Sequence, residues 1–249
     1  MLKIGKVGYL NALPLFYLWN ASNVVFVEGH PSELVDLLRK GEIQAGIVSS
    51  VEYIVHKENY RLVPSVCISS LEKACSVLLF SKRPLEKVRH LYLTPASLTS
   101  RVLTLYLLER LHHNSPKVVE DRDMADALML IGDEALKEKE SGRWRYVYDL
   151  GEQWFSLHRL PFVFALFLIR RDAPEGLESF IAEQCSRSKS QFFKDLLGCK
   201  VNIEGYGKDF LKDYFISCLD YTLDARSQES LSLFKEILIK SGLLLNLRR

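Results

Sequence analysis

No stretch of this chain is long enough to cross a membrane as a helix. The longest apolar run, Leu160 to Ile169, covers about half of the roughly 20 residues a spanning helix needs and reads as a buried strand. An excess of charge of one sign is missing too: 33 Lys and Arg face 31 Asp and Glu, for a formal net charge of +2. So weak a field implies neither a nucleic-acid nor a membrane partner. The five cysteines, Cys67, Cys75, Cys185, Cys199 and Cys218, form no C-x-x-C pair and have no His at finger-like spacing. Reduced, mostly buried thiols and no structural metal are expected. Met1-Leu2-Lys3-Ile4-Gly5-Lys6 lacks the apolar core and small-residue cleavage site of a secretory signal, so a cytoplasmic protein is expected. The chain also lacks G-x-G-x-x-G, a P-loop, G-x-S-x-G and H-E-x-x-H, which removes the common dinucleotide, nucleoside-triphosphate, serine-hydrolase and zinc-protease chemistries. Its six histidines are scattered. His158 alone sits beside a strand-end turn, and there too a surface position is the expectation.

What is present is an α/β rhythm. The chain has 249 residues, 48% of them hydrophobic, enough for two lobes with ample cores. Leu2, Ile4 and Val7 make a strand-like lead-in that should stop near Tyr9. Asn11 and Pro14 then suit the start of a helix, with Asn11 as N-cap. The same position is where an open α/β sheet places a ligand, so Asn11 fits a cap and a ligand contact alike. Val24 to Val27 reads as a second strand, His30-Pro31-Ser32-Glu33 opens a helix that Gly41 closes, and Ala45 to Val48 makes a third strand running into Ser49-Ser50. In a parallel sheet Asn11, Ser49 and Ser50 would face one crevice.

Ser76 to Ser81 reads as a buried strand, and Lys82-Arg83-Pro84 as a connector. The expected division is residues 1–84 and 162–249 in one lobe and 85–161 in the other. In the second lobe, His90 to Leu93 leads through Thr94-Pro95-Ala96-Ser97 into a helix whose first turn carries Ser97, Thr99 and Ser100. A helix N-terminus with three hydroxyls suits a carboxylate or phosphate, although Ser97 also suits a plain cap. Ala127 to Ile131 and Tyr146 to Tyr148 are strands that end at Asp133 and Asp149. These acids suit caps or hinge contacts better than contacts to an anion, which they would repel. The residues alone therefore describe two lobes around a neutral crevice lined with hydroxyls and amides, suited to a small anion.

Several stretches together resemble the chorismate dehydratases of the futalosine route to menaquinone. They are Gly8-Tyr9-Leu10-Asn11-Ala12 with Pro14-Leu15, Pro31-Ser32-Glu33-Leu34 with Gly41-Glu42-Ile43, Glu52-Tyr53, Ser76-Val77-Leu78-Leu79 and Ser97-Leu98-Thr99-Ser100. Further along come Asp126-Ala127 through Ile131-Gly132-Asp133-Glu134-Ala135-Leu136, Asp149-Leu150-Gly151 with Trp154, and Leu160-Pro161-Phe162-Val163-Phe164-Ala165. A set of short motifs in family order is far more specific than any one of them. The resemblance implies an α/β, two-lobed type II periplasmic-binding-protein-like fold with mixed sheets flanked by helices. It also implies loss of water from chorismate to give 3-[(1-carboxyvinyl)oxy]benzoate, with no cofactor. Carried over residue by residue, it implies Asn11 as the catalytic residue and Ser97, Thr99 and Ser100 as substrate contacts; Tyr9, Ser49, Ser50 and Ser76 are expected to meet the substrate from the first lobe. Gln44, where the family usually has Asp, and His158-Arg159, where Thr-Gly is common, are departures; Arg159 fits a further carboxylate contact or a solvent-exposed position. Two rival readings share the fold: the later enzyme of the same route, which releases a dihydroxynaphthoate, and a non-catalytic binder of small anions.

Overall fold

In the computed structural model, which describes residues 1–243, the opening apolar stretch forms β1 (Leu2–Val7) and ends where Gly8 becomes exposed. A 3-10 turn, Leu10–Ala12, leads into the short helix α1 (Leu13–Phe16), with Pro14 in the first turn where its missing N–H is harmless. β2 (Val24–Gly29) pairs in parallel with β1 from Leu2 opposite Val24 to Val7 opposite Gly29. α2 (Pro31–Lys40) buries Pro31, Leu34, Val35 and Leu38 and ends at Gly41, whose φ of 77° is the left-handed conformation a C-terminal glycine supplies without strain. β3 (Ala45–Ser49), α3 (Ser50–His56) and β4 (Tyr60–Ser70) follow.

The chain then crosses to a second sheet built from β5 (Val77–Ser81), β6 (His90–Leu93), β7 (Lys117–Val119), β8 (Ala127–Ile131) and β9 (Tyr146–Asp149), in the order β7-β6-β8-β5-β9. α4 (Leu98–His112), α5 (Gly132–Glu140) and α6 (Leu150–His158) follow β6, β8 and β9. β10 (Val163–Arg170) returns and runs antiparallel to both β3 and β4. α7 (Leu177–Leu197), α8 (Lys208–Asp213), a π-helical segment at Tyr214–Cys218, β11 (Leu219–Asp220) and α9 (Ala225–Lys240) complete the chain. The first sheet has the order β11-β4-β10-β3-β1-β2. Both sheets are mixed and flanked by helices, as the fold class expected from the sequence requires. Among the described residues no helix is long and apolar enough to cross a membrane.

Three sequence expectations change. The lobe boundary does not lie at residue 84. β5 pairs along its whole length with β8 and over four residues with β9, so Lys82-Arg83-Pro84 is a turn inside the second lobe and the crossover is Leu71 to Ser76. Residues 162–249 are not confined to the first lobe either. Trp154 of α6 is fully buried against Phe162 and Phe234, with ring centroids 4.9 and 5.7 Å away, and its Nε1–H donates to Ser230 Oγ at 3.1 Å. α9 therefore packs on the second lobe.

The third change concerns the thiols. Cys75 in the crossover and Cys218 in the π-helical segment form a disulfide between positions 143 residues apart. Only the fold brings them together, and no local spacing announces the pair. Cys67 and Cys185 remain free and buried, their thiols pushed up to about 12 by burial, and Cys199 is free and exposed. Reducing the disulfide is expected to lower the unfolding free energy by roughly 2–4 kcal/mol, through the extra freedom of the open loop in the unfolded chain. Denaturant titrations with and without a dithiol check this, and an unchanged midpoint would show that the link contributes nothing.

Candidate active site

β1 and β3 in one sheet and β6 and β8 in the other end at the same crevice, where the first turns of α3, α4 and α5 and the Leu10–Ala12 turn begin; α2 enters from β2 beside them. Such carboxyl-edge crevices are where open α/β sheets bind ligands. Several polar contacts bridge it, among them Ser50 Oγ and Thr99 Oγ1, 3.4 Å apart. Leu10 N–H donates to Asp133 Oδ1 at 3.0 Å, Ser32 N–H to Ala96 O at 3.1 Å and Val51 N–H to Thr99 Oγ1 at 3.1 Å, while Ser49 Oγ and Ser97 Oγ lie 3.5 Å apart. The lobes meet in this conformation through backbone and short polar side chains.

Asn11 is not a helix cap. The cap position of the 3-10 turn belongs to Tyr9, that of α1 to Ala12, and neither helix start has a side-chain cap bond. Asn11 lies in the middle of the turn. Its backbone C=O accepts from Tyr221 O–H at 2.8 Å, whereas its side-chain Oδ1 is buried with no hydrogen-bond partner. A buried acceptor left unpaired costs about 1–3 kcal/mol. An unpaired buried group of this kind asks for an explanation, and a ligand donor is one.

The hydroxyls divide into three sets. Ser97 caps α4 by accepting from Ser100 N–H at 3.3 Å, and the two hydroxyls lie 3.1 Å apart. With Ser49 beside them they form a small polar cluster at the positive end of a 15-residue helix. Ser50 and Thr99 belong to the same joint between the lobes, but their hydroxyls are engaged with backbone groups. Both are fully buried, Ser50 Oγ donates to Val163 O at 2.7 Å, and Thr99 Oγ1 takes the Val51 N–H. Neither hydroxyl stands open to the crevice. Thr99→Ala is therefore expected to cost about 1–3 kcal/mol of stability by orphaning the Val51 N–H. Thr99→Ser should restore most of that in a denaturant titration, and equal stability of Ala and Ser variants would count against the joint. Ser76 forms the third set. It is buried, its hydroxyl lies 2.7 Å from Tyr214 O–H, and its backbone O accepts from Gly132 N–H at 2.7 Å.

Tyr9 closes the ring of residues. Its hydroxyl shares a 2.6 Å hydrogen bond with His30 Nδ1, and His30 N–H donates to Glu33 Oε2 at 2.8 Å. Burial, then the charges of Glu134, Asp133 and Glu33, holds the phenol well above its ordinary range, so Tyr9 is a neutral hydrogen-bonding group. The ring lies flat against Gly132, where an added Cβ would meet Tyr9 Cγ at 2.8 Å.

His30, Asp133 and Tyr221 thus join the candidate residues without having been singled out as such. Tyr221 has no sequence signal, because its link to Asn11 spans 210 residues. The two expected hinge acids make such contacts: Asp133 bridges the lobes, and Asp149 caps α6 while accepting from Ala74 and Cys75 N–H in the crossover at 2.9 and 2.6 Å. His158 lies outside the ring, 4.2 Å from the Trp154 ring and bonded to Tyr106 O–H at 3.0 Å, with burial and then Arg110 lowering its pKa. Arg159 is exposed and ends α6 in a left-handed conformation. Glu52 is buried in a pair with Arg39 and Tyr60 and so serves the packing of α2 against α3. Among the described residues no three His, Cys, Asp or Glu side chains converge as metal ligands.

Comparison with known proteins bears on this crevice. Over 191 residues, 69% of this chain and 70% of the relative, the sequence is 30% identical to a chorismate dehydratase of Thermus thermophilus. Over 171 residues, 66% of this chain and 65% of the relative, it is 31% identical to a chorismate dehydratase of Campylobacter jejuni. Among solved structures, the alkanesulfonate-binding protein SsuA of Xanthomonas axonopodis, bound to MOPS, superposes with a TM-score of 0.70 at 14% identity, covering 98% of this chain and 93% of that one. A Candida albicans protein described as having the generic periplasmic binding protein fold superposes with a TM-score of 0.65 at 11% identity, covering 96% and 90%. These two likenesses establish the fold. A family model described as menaquinone biosynthesis matches residues 2–240, and the chain belongs to that family.

Proposed function

We propose that this protein is a chorismate dehydratase, a lyase that removes water from chorismate to give 3-[(1-carboxyvinyl)oxy]benzoate, acting in the cytoplasm and without a cofactor. The observation that carries the reading is the buried, unpartnered Oδ1 of Asn11 at the crevice between the lobes, read beside two relatives named chorismate dehydratase. An unpaired acceptor calls for a donor. On the chorismate dianion the one O–H donor is the ring C4 hydroxyl, the group that leaves. The amide N–H donors of the same side chain suit a carboxylate, and the Ser97 and Ser100 hydroxyls at the positive end of α4 suit another.

The chemistry asks little of a base. The C3 proton and the C4 hydroxyl depart together as water, and the ring becomes aromatic, which drives the reaction forward. The enolpyruvyl carboxylate of the substrate can take the C3 proton and pass it to the C4 oxygen as the C4–O bond breaks and the C3–C4 double bond forms, so that water leaves and the carboxylate is regenerated. The protein's work is to hold that carboxylate near C3 and to hydrogen-bond the charge that develops. An amide is never a base at neutral pH, and it suits this holding role. Of the acids near Tyr9, Asp133 and Glu33 already accept backbone N–H groups, and Glu134 is paired with Arg122. Incubation with chorismate should remove the diene absorbance and yield the carboxyvinyloxybenzoate with one equivalent of water. Turnover of a cyclised futalosine derivative in place of chorismate would transfer the protein to the later step of the route, and tight chorismate binding without product would make it a binder.

A further inference from the structure

The turn that carries Asn11 is held from two sides by groups that come from distant parts of the chain. Asp133, in the first turn of α5 in the second lobe, accepts the Leu10 N–H at 3.0 Å. Tyr221, fully buried beyond β11, donates to the Asn11 C=O at 2.8 Å. Within the turn the Ala12 N–H goes back to Tyr9 O at 3.1 Å. The backbone groups flanking the Asn11 side chain are thus occupied, while its Oδ1 is not. One of the two holds comes from the turn's own lobe and the other from across the crevice. Tyr221 belongs to the same lobe as the turn, but Asp133 reaches it only when the lobes are together, because β8 and α5 belong to the other sheet.

We propose that Asp133 is a positioning residue that fixes the Asn11 turn as the lobes close, with Tyr221 as its standing counterpart, so that the Asn11 amide takes its working orientation only in the closed protein. Opening breaks the Leu10–Asp133 bond, frees the first residue of the turn and admits the substrate. Closing remakes the bond and stiffens the turn around it. Asp133 works here through an accepted hydrogen bond and does not touch the reacting atoms. The amide oxygen of Asn can still accept the N–H, though less strongly than a carboxylate, so the role survives Asp133→Asn and not Asp133→Ala.

The inference rests on the dehydratase reading for its kinetic consequence but not for its structural one, and the test separates the two. Backbone amide exchange at Leu10 is followed by NMR in the wild type, Asp133→Asn and Asp133→Ala, without substrate, and chorismate turnover is measured on the same samples. The expected result is that Asp133→Ala loses at least roughly tenfold of the Leu10 protection, with kcat down roughly tenfold or more and KM within about threefold, as expected when a positioned group is misplaced rather than a binding contact removed. Asp133→Asn should stay within about threefold of the wild type in all three, since it keeps the accepted bond. Tyr221→Phe, which keeps the ring, should lower kcat with KM held, and it stands in if Asp133→Ala fails to fold. Unchanged Leu10 exchange in Asp133→Ala overturns the latch whatever the substrate proves to be. A changed exchange with unchanged kcat in a protein that turns over chorismate overturns the positioning role. Wild-type protein that leaves chorismate untouched overturns the dehydratase reading alone, and the exchange data then still decide the latch.

Discussion

Asn11→Ala is expected to fold at least as stably as the wild type and to turn over chorismate roughly 10²-fold or more slowly, the loss that follows from deleting one preorganised polar group at a reacting centre. The two halves of that result come from one observation. Oδ1 is buried and unpaired, so deleting it removes a desolvation cost of about 1–3 kcal/mol that no bond inside the protein offsets. Had Asn11 been a helix cap, the same substitution would cost about 0.5–2 kcal/mol. Stability given up at a reactive position in exchange for function is a recurring signature of active sites. Asn11→Asp should be inactive for a different reason. It places a carboxylate where no donor of the protein meets it and where the substrate brings negative charge of its own. Such a buried carboxylate has a raised pKa, so the variant should be least stable at neutral pH and recover as pH falls and the group takes up its proton. Urea titrations and steady-state kinetics on the two variants check both halves. A destabilised Asn11→Ala with near-normal turnover would return the residue to a structural role.

Gly132→Ala should be damaging out of proportion to one methyl group. Gly132 has a φ of 60°, a conformation that costs an L-residue about 1–2 kcal/mol. The added Cβ would also stand 2.8 to 3.0 Å from three atoms of the Tyr9 ring, a conflict of the overpacking kind that adds about 1–3 kcal/mol unless the ring moves. If the ring moves, the 2.6 Å bond to His30 is lost and the crevice wall beside Asn11 shifts. The expected outcome is a loss of roughly 2–5 kcal/mol of stability, the sum of those two costs, with at least about a tenfold fall in kcat/KM as Tyr9 leaves its place. A variant with wild-type kinetics and a wild-type unfolding midpoint would show that the close approach of Gly132 to Tyr9 does not matter.

The parts of the fold that the sequence displays are those whose cause is local. His90 to Leu93 and Ala127 to Ile131 read as strands because mostly apolar residues run between turn signals, and both appear at those bounds. α2 was legible from Pro31 at its start and Gly41 at its end, each of which acts through its own backbone conformation. β4 was not. Pro64 and Ser65, the latter at a φ of 58°, interrupt it, and the pairing with β10 skips from Leu62 to Cys67 across the bulge. A strand broken by proline and a positive φ gives no clean alternation to read. The candidate site divides in the same way. Ser97 was readable as a cap because capping is local. The burial of Ser50 and Thr99 in the joint and the grip of Tyr221 on the Asn11 carbonyl depend on residues 48 to 210 positions away.

The most direct measurement of whether the Asn11 crevice is where chorismate reacts is a crystal structure with 3-[(1-carboxyvinyl)oxy]benzoate bound. The expected density lies between Tyr9 and Asn11 on one side and Ser97 and Ser100 on the other, with one carboxylate at the start of α4 and an oxygen of the product within hydrogen-bonding distance of the Asn11 amide. Density instead in the cavity of about 540 Å³ that Lys73, Lys139, Phe210 and the Cys75–Cys218 disulfide help to line, with the Asn11 crevice left unoccupied, would contradict it.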